Sequence, residues 1–245
     1  MPISLNYLSH PKLKKPVMLA GLPGIANVGK LAAEFLVHQL GAQKFLEFSS
    51  EHFPEWAVPD EGSVRAMRIE FFHTKPSGSK QDLILMTSDA QAATPQGQYA
   101  LTEEILDLAA ENGVATVATM AAYVLSPEET KKKAVVGVAT DRKLVETLKS
   151  KGIEVLTNGV IVGMNGMLPS FASLRGMDGF CLLGVTEGGV LDPGASAAVA
   201  KAMGSIFGFR VNTEELEAHA EEISKLPPAE NRLPELEEEE LSYIR

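Results

Sequence analysis

From Pro16 onward, short unbroken apolar runs alternate with amphipathic segments, and this alternation constrains the fold more than any other feature of the sequence. Pro16 to Ala20 is the first such run, followed by a glycine loop from Gly21 and an amphipathic stretch from Ala26 to Leu40. Further strand candidates are Lys44 to Phe48, Val64 to Phe72, Asp82 to Thr87, Val114 to Thr119, Ala134 to Ala139, Gly159 to Val162 and Phe180 to Val185. Several lack any polar alternation, as strands covered on both faces do. Helices with readable ends separate them: Tyr99 to Glu111 closes on Asn112-Gly113, and Asp141 to Ser150 closes on Gly152. Strand-helix alternation with short connections predicts a three-layer α/β/α domain built on a mostly parallel sheet.

The last third changes character. Asp192-Pro193 supplies an N-cap and a first-turn proline for a helix over Gly194 to Phe207, and Asn212 with Glu215 has capping-box spacing for a second helix to about Lys225. From Pro227 the sequence PPAENRLPELEEEELSYIR holds six Glu against two Arg and little to pack. The expected organisation is therefore an α/β domain over 1–226 and a flexible acidic C-terminal tail over 227–245.

Charge and composition narrow the function classes. With 22 Lys and Arg against 32 Asp and Glu the net charge is -10, which leaves no broad positive surface for a phosphate backbone, so nucleic acid is not an expected partner. No apolar run approaches the length of a membrane span, and MPISLNYLSHPKLKKP lacks the apolar core of a signal peptide, so neither a membrane nor export is expected. The single cysteine, Cys181, cannot form an intrachain disulfide, which suits a reducing cytoplasm; set among Phe180 and Leu182-Leu183 it reads as a small apolar core residue.

One motif invites a chemical reading. Gly24-Ile25-Ala26-Asn27-Val28-Gly29-Lys30 satisfies G-x-x-x-x-G-K and lies between a strand and a helix, as a phosphate loop does. The next residue, however, is Leu31 where magnesium needs a hydroxyl, and Pro23 removes an N–H just outside the cradle. Asp89, after the apolar run Leu83 to Thr87, could serve magnesium, but such strand ends are common. The plainer reading is structural: Gly21, Pro23, Gly24, Asn27 and Gly29 make a tight turn and let the helix approach the sheet. The alternatives are a phosphate- or nucleotide-binding enzyme of nucleoside-phosphorylase or hydrolase type using the Gly21 to Lys30 loop, and a nucleotide switch. His10, His38, His52, His73 and His219 show no ligand spacing, so no metal site is expected, and no G-x-S-x-G elbow is present. Trp56, in the proline-bracketed loop Phe53 to Pro59, is either a partner anchor or a plug over the sheet end. Finally, the Glu237 to Glu240 run gives way to Leu241-Ser242-Tyr243-Ile244-Arg245, an apolar and aromatic ending that suits a docking peptide.

Four stretches taken together, Gly21 to Gly29, Asp82 to Tyr99 (DLILMTSDAQAATPQGQY), Gly159 to Leu168 (GVIVGMNGML) and Gly184 to Ser196 (GVTEGGVLDPGAS), resemble the proteasome assembly chaperone family in its archaeal-type members. The resemblance spans about residues 15 to 225. It implies a domain similar to nucleoside-phosphorylase-like folds, no catalytic residues and no cofactor, self-association into a homo-oligomer, and binding to the 20S proteasome through its α subunits. In that family, and in proteasome-activating ATPases, a C-terminal hydrophobic-tyrosine-any tripeptide inserts between neighbouring α subunits. Here Tyr243, Ile244 and Arg245 form a related tail with the tyrosine one place earlier. The resulting expectation is a non-enzymatic assembly chaperone or activator-like adaptor.

Overall fold

An apolar run with no polar alternation needs cover on both sides, and the central strands have it: β2 (Val17–Gly21) and β7 (Leu83–Ser88) are buried at every position. The computed structural model describes residues 3–130 and 134–224. Around those two strands stand β1 (Ser4–Tyr7), β3 (Gln43–Ser49), β6 (Ile69–Thr74), β8 (Thr116–Val124), β9 (Val135–Ala139), β10 (Glu154–Val155) and β11 (Asp178–Thr186), in the order β1-β3-β6-β7-β2-β8-β11-β9-β10. A hairpin of β4 (Ala57–Asp60) and β5 (Ser63–Ala66) forms a separate two-stranded sheet. The helices are α1 (Val28–Gln39), α2 (Pro95–Glu111), α3 (Pro127–Thr130), α4 (Arg142–Ser150), α5 (Met164–Leu174), α6 (Pro193–Phe207) and α7 (Glu214–Ser224).

The period of two along each strand sorts the core into two faces. Met18, Ala20, Ile84 and Met86 pack with Leu101 and Ile105 of α2 and Met164 and Leu168 of α5. Val17, Leu19, Leu83 and Leu85 pack with Ala32 and Leu36 of α1 and Val199 and Met203 of α6. Helices therefore cover both faces, as three layers require. On the α5 face a smaller cluster, Ala121, Val136, Cys181, Leu183 and Val185, lies under the chain segment carrying Leu156 and Ile161. Cys181 is fully buried there, and desolvation pushes its thiol up to about 12 against the weaker pull of a hydrogen bond with Thr119.

The sheet is mixed rather than mostly parallel. The pairs β7/β2, β2/β8, β8/β11 and β9/β10 are parallel, whereas β1/β3, β3/β6, β6/β7 and β9/β11 are antiparallel. The cause is in the connections: no helix separates β3, β6 and β7, so consecutive strands return on their neighbours. The run Val64 to Phe72 is not one strand: its first part belongs to β5, which pairs with β4 across the turn that Glu61 and Gly62 make at positive φ (49° and 84°), and β6 starts afresh at Ile69 in the large sheet. Gly159 to Val162 joins no sheet. The first helix begins at Val28 rather than Ala26, since Ala26 and Asn27 are both left-handed (φ 49° each). Thr94, whose hydroxyl accepts from Gly97 N–H at 3.1 Å, starts α2 four residues before Tyr99, with Pro95 in the first turn. Asp192 caps α6 as its sequence indicates, accepting from Ala195 N–H at 2.8 Å. In α7 the first turn is set by Asn212 Oδ1, which accepts from Glu214 N–H at 3.1 Å, and by Thr213, whose hydroxyl donates to Glu217 at 2.7 Å, rather than by a bond to Glu215.

Candidate functional site

The carboxyl ends of β2, β7 and β8 open into a cleft of about 720 Å³. The glycine loop forms one wall. Its geometry follows from close approach: a Cβ on Gly21 would collide with the Gly29 carbonyl oxygen, and a Cβ on Gly29 with the Met120 carbonyl oxygen. Both glycines thus let the start of α1 lie directly on β2 and β8. Gly24, by contrast, has open space around it and an extended backbone.

Both groups that a phosphate or its magnesium would need are otherwise engaged. Lys30 Nζ donates to the Ser88 carbonyl at 2.9 Å and pairs with Glu34 at 2.7 Å. Asp89 accepts from the two terminal guanidinium nitrogens of Arg65, at 2.6 and 3.0 Å, and from the Arg68 N–H at 2.9 Å. Burial pushes the Asp89 carboxyl up, yet these donors outweigh it and hold the group below the ordinary aspartate range. Asp89 accordingly pins the β4/β5 hairpin, whose base carries Trp56, against the rim of the cleft.

Two amides hold the loop from the other side. Gln91 Nε2 donates to the Pro23 carbonyl at 2.6 Å, and its Oε1 accepts from Met164 N–H at 2.7 Å, linking the loop to the start of α5. Asn165 is buried and addresses both backbone groups of Leu22: Oδ1 accepts from Leu22 N–H and Nδ2 donates to Leu22 C=O, each at 3.2 Å. This imitates the exchange of bonds between paired strands. Asn165 itself is fixed through its carbonyl. Position 169 is a proline inside α5, so the N–H that should reach the Asn165 carbonyl is missing, and the Thr119 hydroxyl donates there instead at 2.5 Å.

Beside these committed side chains, the cleft presents an apolar rim. Ile25 is 54% exposed, Trp56 65%, Val160 87% and Val162 84%, and all four line it. Such a contiguous patch suits a macromolecular contact better than proton transfer. Trp56 is therefore a rim residue and does not plug the sheet end. Gln91 and Asn165 are the residues that sequence reasoning missed. Each sits inside a stretch quoted for the family resemblance, but no spacing in the sequence joins either to the glycine loop. Tyr243, Ile244 and Arg245 lie outside the described residues.

Comparison with known proteins places this architecture. The model of the PAC2 family matches residues 18–226. An uncharacterized protein of Methanocaldococcus jannaschii is 36% identical over 95% of this chain and 93% of its own length. Among solved structures, Pyrococcus furiosus PbaB, an archaeal proteasome activator, superposes with a TM-score of 0.83 at 32% identity, over 91% of this chain and 96% of that one. Pyrococcus furiosus PbaA, an archaeal homolog of proteasome-assembly chaperone, gives 0.77 at 26% identity, over 92% and 90%.

Proposed function

The chain belongs to the PAC2 family, and from that premise we propose that it is a non-enzymatic proteasome assembly chaperone or activator-like adaptor acting in the cytoplasm. The observation that carries this is the match to PbaB, which is near full length on both sides. In this reading residues 1–226 are a self-associating domain and residues 227–245 a tether ending in Tyr243, Ile244 and Arg245, which dock on 20S α subunits. The placement of α7 supports it. That helix runs back along α6 until Ala220 lies over Gly194, where an added Cβ would sit 3.6 Å away. The chain thus leaves α7 at the sheet end that carries the cleft.

A lone tripeptide binds weakly because little area is buried and the tether loses freedom. Several tails on one oligomer raise avidity by about 10² to 10⁴ where the tether spans the pockets. A coil from Pro227 to Arg245 reaches about 25 Å. The reading of the Gly21 to Lys30 loop as a phosphate site of an enzyme finds its cation and carboxylate already paired. The test is surface plasmon resonance on immobilised 20S particles, comparing the full chain with one ending at Pro234. Binding by the full chain and its loss on truncation are expected. Undiminished binding by the shortened chain overturns the tail, and no binding by the full chain overturns the proteasome reading.

A further inference from the structure

Three Asn-Gly dipeptides occur in the sequence, at Asn112-Gly113, Asn158-Gly159 and Asn165-Gly166. Such a pair is chemically labile, because glycine has no side chain to keep its backbone nitrogen away from the preceding side-chain amide. Sequence alone ranks the three equally, and the fold does not. Asn112 closes α2: its Nδ2 donates to the Leu108 carbonyl at 2.8 Å, and the Gly113 N–H donates to the Ala110 carbonyl at 2.9 Å. Asn165 is buried in α5 with both amide atoms on Leu22, and the Gly166 N–H donates to the Gly163 carbonyl at 3.0 Å. At both sites the attacking nitrogen and the amide it would attack are held in hydrogen bonds, so reaction waits on local opening. Asn158-Gly159 has neither restraint. Both residues are exposed, and nothing lies within 4 Å of where a Cβ on Gly159 would stand. Among the described residues no hydrogen bond engages the Gly159 N–H, and the Asn158 amide reaches only the Thr157 hydroxyl, at 3.4 Å.

We infer that Asn158 is a self-modification site, at which the chain converts its own side-chain amide to a carboxylate with water as the only other reactant. The Gly159 nitrogen attacks Asn158 Cγ and forms a carbon–nitrogen bond there. Its proton ends on the side-chain nitrogen, whose bond to Cγ breaks, and ammonia leaves a five-membered succinimide. Water then adds to either ring carbonyl and opens the ring. One opening leaves an aspartate, and the other an isoaspartate whose backbone runs through the side-chain carbon. Either product puts a negative charge into a stretch, Thr157 to Met164, that holds no ionisable residue. Asn158, Gly159 and Val160 line one cleft of about 340 Å³, and Val160 is 87% exposed beside them. A partner that covers Val160 in the unmodified chain must therefore desolvate a charge in the modified one. The chemistry itself is independent of what the chain binds.

The test is a time course of the full chain at mildly alkaline pH, read by tandem mass spectrometry of tryptic peptides against an unincubated sample. Trypsin releases Gly152 to Arg175 as one peptide that carries both Asn158 and Asn165, so the two are compared within the same molecule. In the folded chain Asn158 is expected to gain the mass of an acid over its amide about tenfold or more faster than Asn112 or Asn165, because only those two must first open. In concentrated urea the three rates are expected to converge. Methylation by an isoaspartyl methyltransferase is expected to appear with the same time course. Asn158→Gln, whose ring closure is six-membered and slow, is expected to remove the fast reaction, with far-UV circular dichroism checking that the variant is folded. A folded chain in which Asn158 reacts no faster than Asn112 and Asn165 overturns the assignment. So does a lead of Asn158 that persists undiminished in urea, since the fold then plays no part in it.

Discussion

Replacing Thr119 by Val removes one hydroxyl at nearly constant shape, and its cost depends on a proline on another element. Because Pro169 has no N–H, the Asn165 carbonyl has the Thr119 hydroxyl as its donor, at 2.5 Å inside the core. Without it a buried acceptor is stranded, which costs about 1–3 kcal/mol. For a chain of this size about 1 kcal/mol corresponds to about 2–4 °C in melting temperature, so Thr119→Val is expected to lower it by about 2–12 °C. Pro169→Ala restores the missing N–H. In that background the helix satisfies the Asn165 carbonyl itself, and Thr119→Val is expected to cost less by about 1 kcal/mol or more, a coupling that a double-mutant cycle isolates. Urea unfolding followed by far-UV circular dichroism measures all four proteins. An equal loss in both backgrounds refutes the argument that Thr119 substitutes for the helix donor.

Two further outcomes follow from the loop and its neighbours. Gly21→Ala and Gly29→Ala drive a Cβ into a backbone carbonyl and are expected to abolish soluble expression or cut stability severely, whereas Gly24→Ala, facing open space, is expected to stay within about 0.5 kcal/mol of wild type. Melting curves that rank Gly24→Ala with Gly21→Ala contradict the packing account. Asp89 titrates lower in the folded chain than the roughly 3.9 of an unfolded one, so its ion pair stabilises the fold above about pH 4 and that contribution is lost as pH falls through the lower folded value. Asp89→Asn is expected to flatten the fall of the urea midpoint between about pH 4 and pH 2. An Asn variant with the full wild-type acid dependence argues that other carboxylates carry it.

How much of this was legible in the sequence depended on whether the signal was local. The apolar runs at Leu83 and Phe180 and the cap at Asp192 announce themselves within a few residues, and the structure has them in place. The direction of strands is not local: β9 and β11 read alike as apolar runs, yet they pair antiparallel because of where β11 inserts between β8 and β9. The strand β1 escaped notice because SLNY is exposed throughout and carries no buried face to pattern. Helix α5 was hidden by Gly166 and Pro169, which read as breakers; the N–H that Pro169 lacks is replaced by the Thr119 hydroxyl. The apolar rim is likewise invisible in the sequence, since Val160 and Val162 look like core residues until the chain beneath them is drawn.

The bonds between Leu22 and Asn165 span 143 residues, and that span bears on the order of events during synthesis. Strands β1, β3, β6, β7 and β2 all lie within the first 88 residues and can join as soon as those have emerged. The outer edge of β2 then has no neighbour until Thr116–Val124 arrives, and the glycine turn has no brace until α5 does. Closing so long a loop is entropically slow compared with the local pairings before it. A nascent chain halted between residues 89 and 115 would therefore display an open edge of a strand that the finished fold buries throughout, and that window is where aggregation or capture by general chaperones should concentrate.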